Sequence, residues 1–477
     1  MHIIDILIFV IYLIAMLGVG FFFMMRNKTP DDYYVGGRTL KAGHIGLSVV
    51  ATDVGGGFSI GLGGLGVIMG LSGSWLLFTG LVGAWLSAVL LIPKVSKMGK
   101  AKNFLTFPQF LGSVYNKRVA LFAGIISAIG YIGFTSSQIL AGAKLAASTF
   151  PELSLDMALL VMGTIAVIYT VLGGLKAVIY TDTIQWIILM GGLLLVALPF
   201  AYFKVGGIET ITNTLEPGFL SLTAISWQQI VNWMFTIVPI WFIGMTLYQR
   251  IYAAKDTKTA QKGWFIAGLF EYPLMAFLGV TLGMFARVAL ENGLLVDYTL
   301  SNLDSEMGLP VLLRTILPVG FMGIVLSAYF SAIMSTADSC LMAASGNVLT
   351  DVFKLHNSKY NLRYSQLITL IIGILALFMA LKVTSVLELM LHSYSFMVSG
   401  MIIPVLAALF IKRPNANAAL ISMISGGLTT LCLIIFEVPI LWELDANIVG
   451  ITVSAIAYSI EHVVSSIQQS DSIIDNY

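Results

Sequence analysis

Two short stretches of oxygen-bearing side chains interrupt long apolar runs: Ala51-Thr52-Asp53-Val54-Gly55-Gly56-Gly57-Phe58-Ser59 and Ser331-Ala332-Ile333-Met334-Ser335-Thr336-Ala337-Asp338-Ser339. Each sets carboxylate and hydroxyl oxygens where the surrounding residues are membrane-like. An acidic side chain at bilayer depth costs about 2.5 to 3.5 kcal/mol on insertion scales, and where one is found it usually marks an ion or substrate path. The glycine triplet can break a helix and free backbone carbonyls. Ala332, Ser335 and Thr336 are spaced i, i+3, i+4, which places one carbonyl and two hydroxyls on one helical face. A hard cation wants several oxygen ligands, and a broken helix supplies carbonyls without a net charge that would trap the ion. The alternative for Ser335 and Thr336 is hydrogen bonding back to the preceding turn.

The elements that must position these residues are membrane helices. Of 477 residues 58% are hydrophobic and only 10% charged, with 46 glycines, which defines an all-α integral membrane protein that crosses the bilayer many times. A formal charge of +1 and the lack of a basic tail give no support for nucleic-acid binding. Cys340 and Cys432 both fall in apolar segments, so no disulfide framework or metal-ligand cluster is indicated. Enzymatic activity is not expected: no nucleotide-binding glycine loop, zinc pair or nucleophile with an associated base is present, and Gly55 to Gly57 lie in a span.

A window of about 20 residues gives about 13 transmembrane helices, near 2–25, 42–70, 73–95, 119–149, 155–174, 180–203, 226–250, 263–291, 310–350, 364–381, 386–410, 416–436 and 441–461. The first run, ending at Arg26 and Lys28, is long enough to span and lacks a cleavage site, so it reads as a retained helix and not a signal peptide. Basic residues gather in alternate loops, among them Lys94 to Lys102, Arg250 to Lys262, Lys354 to Arg363 and Lys412-Arg413. That asymmetry places the N-terminus outside and the C-terminus inside a plasma (inner) membrane. Spans two to six (42–203) and seven to eleven (226–410) set against each other as two groups of five. Because five is odd, the second group is inverted relative to the first. The remaining segments are a leading helix and first cytoplasmic loop (1–41), an extracellular loop (204–225), and two trailing helices with a cytoplasmic tail (411–477). The first helix of each group is irregular, at Gly55-Gly56-Gly57 and at Pro239 with Gly244.

Several ordered motifs carry a resemblance to the sodium:solute symporter family. Ala51-Thr52-Asp53 through Gly61-Leu62-Gly63-Gly64 resembles the corresponding helix of its sodium/proline symporters, and Val54-Gly55-Gly56-Gly57 is similar to its choline transporters. Further matches are Asp31 to Arg38, Ala141-Gly142-Ala143-Lys144-Leu145, Gly173 to Val178 with Thr181 to Gln185, Gln249-Arg250, and Ser335-Thr336-Ala337-Asp338-Ser339. The resemblance implies a five-plus-five inverted repeat (LeuT-like) with one leading and two trailing helices. It also implies sodium as coupling ion, no cofactor, and a sodium site formed by Ala51, Val54, Ala332, Ser335 and Thr336, with Asp53 tuning it. Asp182, Ser335, Asp338 and Ser339 match positions that hold a second sodium in some members. Asp338 stands where those members have a hydroxyl residue, so it could instead bind a proton or pair with a basic group.

The implied substrate site lies beside the two helix breaks, at Gly55, Gly57 and Phe58, with Phe134, Thr135 and Gln138 from span four and Trp241 and Gly244 from span seven. Gly57 stands where the sodium/proline symporters have an aromatic residue, which suggests a roomier site. Asp53 stands where the choline transporters have tryptophan, which argues against an aromatic cage. Glu271, Glu388 and His392 are further ionisable residues without an assigned role. The reading is a sodium-coupled symporter of a small polar organic solute, an amino acid or small carboxylate, working as a monomer in membrane lipid by alternating access. The alternatives are a proton-coupled carrier, or a non-transporting sensor or ion channel on the same fold.

Overall fold

The computed structural model describes residues 2–25, 35, 38–355 and 361–474, and the side chains of all of these except 20, 23, 24, 58, 59, 172–177, 179, 180, 361, 362 and 469–474. The motif at Asp31 to Arg38 therefore lies outside the described residues apart from Val35 and Arg38. The side chains of Phe58 and of Gly173 to Ala177 also lie outside.

Among the described residues the chain is helical, and its one β-bridge joins Leu40 to Ala254. The helices that position the site are α1 (Ile3–Met24), α2 (Ala42–Asp53), α3 (Gly56–Met69), α4 (Trp75–Leu90), α5 (Lys117–Thr149), α6 (Leu155–Met190), α7 (Trp227–Ile243) and α8 (Met245–Ala253). They are followed by α9 (Thr257–Phe270), α10 (Phe277–Glu291), α11 (Ser305–Ile316), α12 (Phe321–Asn347), α13 (Asn361–Ala380), α14 (Val386–Phe410), α15 (Ala416–Ile435) and α16 (Ala446–Ile474). Nine helices among the described residues are long and apolar enough to cross a membrane, ten when the bent pair α7 and α8 is taken as one span. This is fewer than the 13 spans read from hydropathy for identifiable reasons. The 3₁₀ turn Gly70–Ser74 joins α3 and α4 into one helical run, and the stretches of α1 and α6 with described side chains break off at Val19 and Val171, so these two helices are not among those counted.

Helix α6 is not one straight rod. Tyr169 Oη and Thr181 Oγ1 are 3.2 Å apart, whereas 12 residues of straight helix would separate their backbones by about 18 Å. Thr170 and Asp182 also reach Asp338 and Ser335, which are one turn apart on α12. The chain therefore doubles back, as two adjacent spans require.

Helix ends in the loops are closed by their own side chains. Asn116, Ser154, Ser226, Asp256 and Ser385 each accept a hydrogen bond from a first-turn N–H, as good N-cap residues do. The two breaks within spans are different. Helix α3 starts at Gly55 and α8 at Gly244, and neither start has a side-chain cap. Polar backbone groups are thus left available at these two places. Pro239 stays inside α7, and the 41° bend falls at Gly244.

The core sits on α12, in whose span 94% of the most apolar window is buried, against 17% for α16. Asp5 of α1 caps the start of α12 by accepting from Gly320 N–H (2.7 Å) and Gly323 N–H (2.9 Å). Helices α3 and α10 touch backbone to backbone. A Cβ at Gly283 would lie 2.1 Å from Gly63 O, and one at Gly66 would lie 2.3 Å from Val280 O. Small residues permit that approach in membrane proteins.

Candidate functional site

The break at Val54 and Gly55 meets the middle of α12. Thr336 Oγ1 lies 3.2 Å from Ala51 O, 2.9 Å from Thr52 O and 3.3 Å from Ala332 O. A hydroxyl has one proton to donate; Ala332 O also takes the Thr336 N–H inside α12, while the carbonyls of Ala51 and Thr52 at the end of α2 compete for that one proton. Two helix-end carbonyls and a hydroxyl oxygen converging in a buried spot are an oxygen donor set that fits a hard cation. Val54 is buried at the break, its N–H closing the last turn of α2 on Val50 O. Gly55 is required there, since a Cβ would come 1.8 Å from Thr336 Oγ1.

Ser335, expected at both sodium sites, turns here to a residue of the second. Successive helical residues point about 100° apart, and while Thr336 faces the end of α2, Ser335 Oγ donates to Asp182 Oδ1 at 2.6 Å. Asp53 is buried beside Glu271, which stands in the π-helical segment Glu271–Ala276. Asp53 Oδ2 and both Glu271 oxygens make no hydrogen bond of ordinary geometry, and Glu271 packs so closely on Gly80 that a Cβ there would lie 2.1 Å from Oε1.

Two of the residues expected at a second sodium site, Asp182 and Ser339, meet around a side chain that hydropathy had assigned to a cytoplasmic loop. Arg250, on α8, is fully buried. Its Nη2 donates to Thr52 Oγ1 and Ser339 Oγ, both at 2.7 Å, and lies 3.3 Å from Asp182 Oδ2. Nε donates to Ser48 Oγ (3.2 Å) and Nη1 to Thr246 O (3.3 Å), while Ser48 Oγ donates to Asp182. Asp338 stands outside this set, with Oδ1 accepting from Thr170 Oγ1 at 2.5 Å and Oδ2 without a partner. The signal that could have found Arg250 was its place in Gln249-Arg250, the last two residues of the 226–250 span by the hydropathy window.

Of the residues expected at the substrate site, Gln138 and Gly57 meet, Gly57 N–H donating to Gln138 Oε1 at 3.3 Å. The room expected at Gly57 is filled, because a Cβ there would lie 2.7 Å from Met390 Sδ and 3.1 Å from Gln138 Nε2. Phe134 packs edge-on against Tyr394 (4.8 Å between centroids) and Thr135 Oγ1 bonds back to Tyr131 O (2.7 Å). Trp241 is turned toward α4, where a Cβ at Gly83 would be 2.4 Å from its ring. Gly244 sits against Tyr131, whose Oη also bonds Thr246 Oγ1 (3.1 Å) and accepts from its N–H (3.2 Å).

A cavity of about 530 Å³ opens beyond the breaks, toward the end of the molecule that carries the start of α7 and the end of α3. Its ionisable lining is Lys144, Asp304, Glu306, Glu388, His392 and Asp445. Lys144 Nζ reaches Asp304 Oδ2 (2.5 Å) and Glu306 Oε2 (2.6 Å). Glu306 in turn accepts from the N–H groups of Val386 (3.0 Å) and Leu387 (2.9 Å) at the start of α14. At the opposite end, among the described residues, elements are tied together by the Arg250 cluster and by Leu40 pairing with Ala253 and Lys255 through N–H to O bonds of 3.1 and 3.2 Å.

Residues 33–426 match the sodium:solute symporter family, and the chain belongs to that family. It is a membrane transport protein and not an enzyme. The chain is 27% identical over 440 residues to the high-affinity proline transporter PutP of Bacillus subtilis, covering 87% of this chain and 89% of that protein. It is 26% identical over 471 residues to the sodium/glucose cotransporter of Vibrio parahaemolyticus (89% and 83% covered) and 25% over 436 residues to the sodium/pantothenate symporter of Escherichia coli (88% of each). The fold is shared with a Na+-coupled sialic acid symporter solved in a substrate-bound outward-open state, with a TM-score of 0.81 at 22% identity over 96% of both chains. It is also shared with a nucleobase-cation-symport-1 family transporter in a closed conformation, with a TM-score of 0.61 at 11% identity over 93% of this chain and 96% of that one.

Proposed function

We propose that the protein is a sodium-coupled symporter of a small polar organic solute, an amino acid or a small carboxylate, working by alternating access. The observation that carries this reading is the convergence of Thr336 Oγ1 on the carbonyls of Ala51 and Thr52, which end α2, beside Ala332 O of its own helix. A sodium ion at this point takes its ligands from Ala51, Val54, Ala332 and Thr336, with Ser335 joining when its hydroxyl leaves Asp182. Asp53, beside the break, offsets the added charge. The solute class draws support from relatives named for proline and pantothenate, both carboxylates, although the equally similar relative named for glucose takes an uncharged solute.

In this reading two inverted five-helix groups, 42–203 and 226–410, sit between a leading helix and two trailing ones, giving 13 spans. The protein acts as a single chain in the plasma membrane with its N-terminus outside and C-terminus inside. The 530 Å³ cavity is then the outer vestibule and the tied end faces the cytoplasm. The substrate site adjoins the two breaks, at Gly55, Gly57, Phe58 and Gly244, with Phe134, Thr135 and Gln138 beside them. Sodium binding draws the end of α2 onto α12 and raises the population of the state that accepts solute. By linkage each ligand tightens the other.

The test is uptake by the purified protein in proteoliposomes, against a panel of labelled amino acids, carboxylates, choline and pantothenate. An inward sodium gradient is expected to drive uptake of an amino acid or carboxylate. Thr336→Ala should raise the sodium concentration needed at least tenfold, about 1.4 kcal/mol, while Thr336→Ser keeps it near wild type. Robust uptake driven by a proton gradient in sodium-free buffer, or ion flux without solute, would overturn the reading.

A further inference from the structure

We propose that a cavity between the α14–α15 turn and α16 binds the phosphate of an anionic phospholipid. This site is separate from the ion and solute sites above and depends on neither.

Helix α16 starts at Ala446, which lines the 530 Å³ cavity, and reaches a second cavity of about 570 Å³ at His462, Ser465 and Ser466. The helix from Ala446 to these residues is about 24 to 30 Å long, close to the thickness of a bilayer's hydrocarbon core, about 30 Å. The second cavity therefore sits at the opposite membrane surface, at the depth of the lipid headgroups. Its other wall is the turn after α14, with Lys412, Arg413 and Asn415.

That wall is cationic, and the fold does not use its charge. Lys412 and Arg413 are exposed, and neither has a hydrogen bond or ion pair among the described residues. Their obvious structural task, closing the last carbonyls of α14, is done by Lys94, whose Nζ donates to Ala408 O (2.6 Å) and Leu409 O (3.4 Å). The positive end of α15 adds to the same field, starting beside Asn415, which accepts from the N–H groups of Asn417 (2.8 Å) and Ala418 (3.0 Å). On the α16 wall the His462 ring stacks on Tyr458, and its Nδ1 is buried without a partner. Glu461 accepts from Ser465 Oγ at 2.9 Å, and against this one carboxylate the two cations leave a positive excess.

The surroundings select a lipid over a free anion. Phe410, at the end of α14, is 60% exposed, and Ile460, Val463 and Ile467 of α16 are 60%, 56% and 55% exposed. A free phosphate gains nothing from this apolar band, whereas a phospholipid lays its chains along it while its phosphate meets Lys412 and Arg413. Basic pockets between membrane helices take anionic headgroups in this way. The bound lipid would hold α16, little of whose apolar window is buried, against the α14–α15 turn.

Native mass spectrometry of the purified full chain, titrated in detergent with phosphatidylglycerol or phosphatidylcholine, counts bound lipid directly. A first phosphatidylglycerol is expected to bind about tenfold more tightly than phosphatidylcholine. Lys412→Gln/Arg413→Gln should remove the preference and leave thermal unfolding in lipid-free detergent unchanged. Lys258→Gln/Lys262→Gln, which removes two exposed lysines of α9 away from the cavity, should keep it. Equal binding of the two lipids, a preference that survives in Lys412→Gln/Arg413→Gln, or its loss in Lys258→Gln/Lys262→Gln would overturn the proposal. Saturable binding of inorganic phosphate that excludes phosphatidylglycerol would assign the cavity to a free anion and overturn the lipid as ligand.

Discussion

Thr336 and Gly55 form the tightest pair in the site. A methyl group on Gly55 would occupy the position of Thr336 Oγ1, since the added Cβ falls 1.8 Å from it. Gly55→Ala is therefore expected to abolish sodium-dependent uptake by moving the hydroxyl away from the three carbonyls. Gly43→Ala, twelve residues earlier and in the first turn of α2, meets nothing within 4 Å. It should leave transport unchanged and stabilise the helix by up to about 1 kcal/mol. Uptake by Gly55→Ala with a wild-type sodium dependence would show that the hydroxyl is not part of the ion site. The glycine triplet was legible in the sequence as a helix breaker. That one of its members exists to admit a threonine from 281 positions further along the chain was not.

Elements in this protein are joined at their ends by side chains from elsewhere. Glu306, near the start of α11, holds Lys144 on α5 and accepts from two N–H groups at the start of α14, where a carboxylate also complements the positive end of the helix. Glu306→Gln removes the charge and leaves donors short of an acceptor, which should cost about 1 to 3 kcal/mol. The measurement is thermal unfolding of the purified protein. Because Lys144 and Glu306 share one network, Lys144→Met/Glu306→Gln should lose clearly less than the sum of the single variants. Strict additivity would mean the contact carries no coupling. Lys144 was visible in a family-like motif, but nothing along the chain pointed to Asp304 or Glu306 as its partners.

At the scale of the whole molecule one end is open and the other latched. The open end holds Glu388 and His392, one turn apart on α14, which had no assigned role in the sequence and here line the cavity. The orientation inferred from basic loops puts that cavity outside the cell. Glu388→Cys, made together with Cys432→Ser to remove the exposed native thiol while buried Cys340 remains, should react with a membrane-impermeant maleimide added to intact cells. Labelling only from the cytoplasmic side would reverse the orientation.

Hydropathy, glycine and proline placement, and the alternation of basic loops are local properties, readable without knowing which helices meet. They determined the membrane class, the broken second span, the irregular seventh and the oxygen-rich stretch at Ser335 and Thr336. Packing decided the rest. Arg250 looked like a loop charge until Ser48, Thr52, Asp182 and Ser339, separated from it by 202, 198, 68 and 89 residues, closed around it. Ser335 and Thr336 looked alike until their neighbours gave one an aspartate and the other three carbonyls. Gly57 looked like open space until Met390 filled it. A buried polar group takes the partner that the fold brings to it, and helix contacts between residues far apart in the chain exist only once the bundle has assembled.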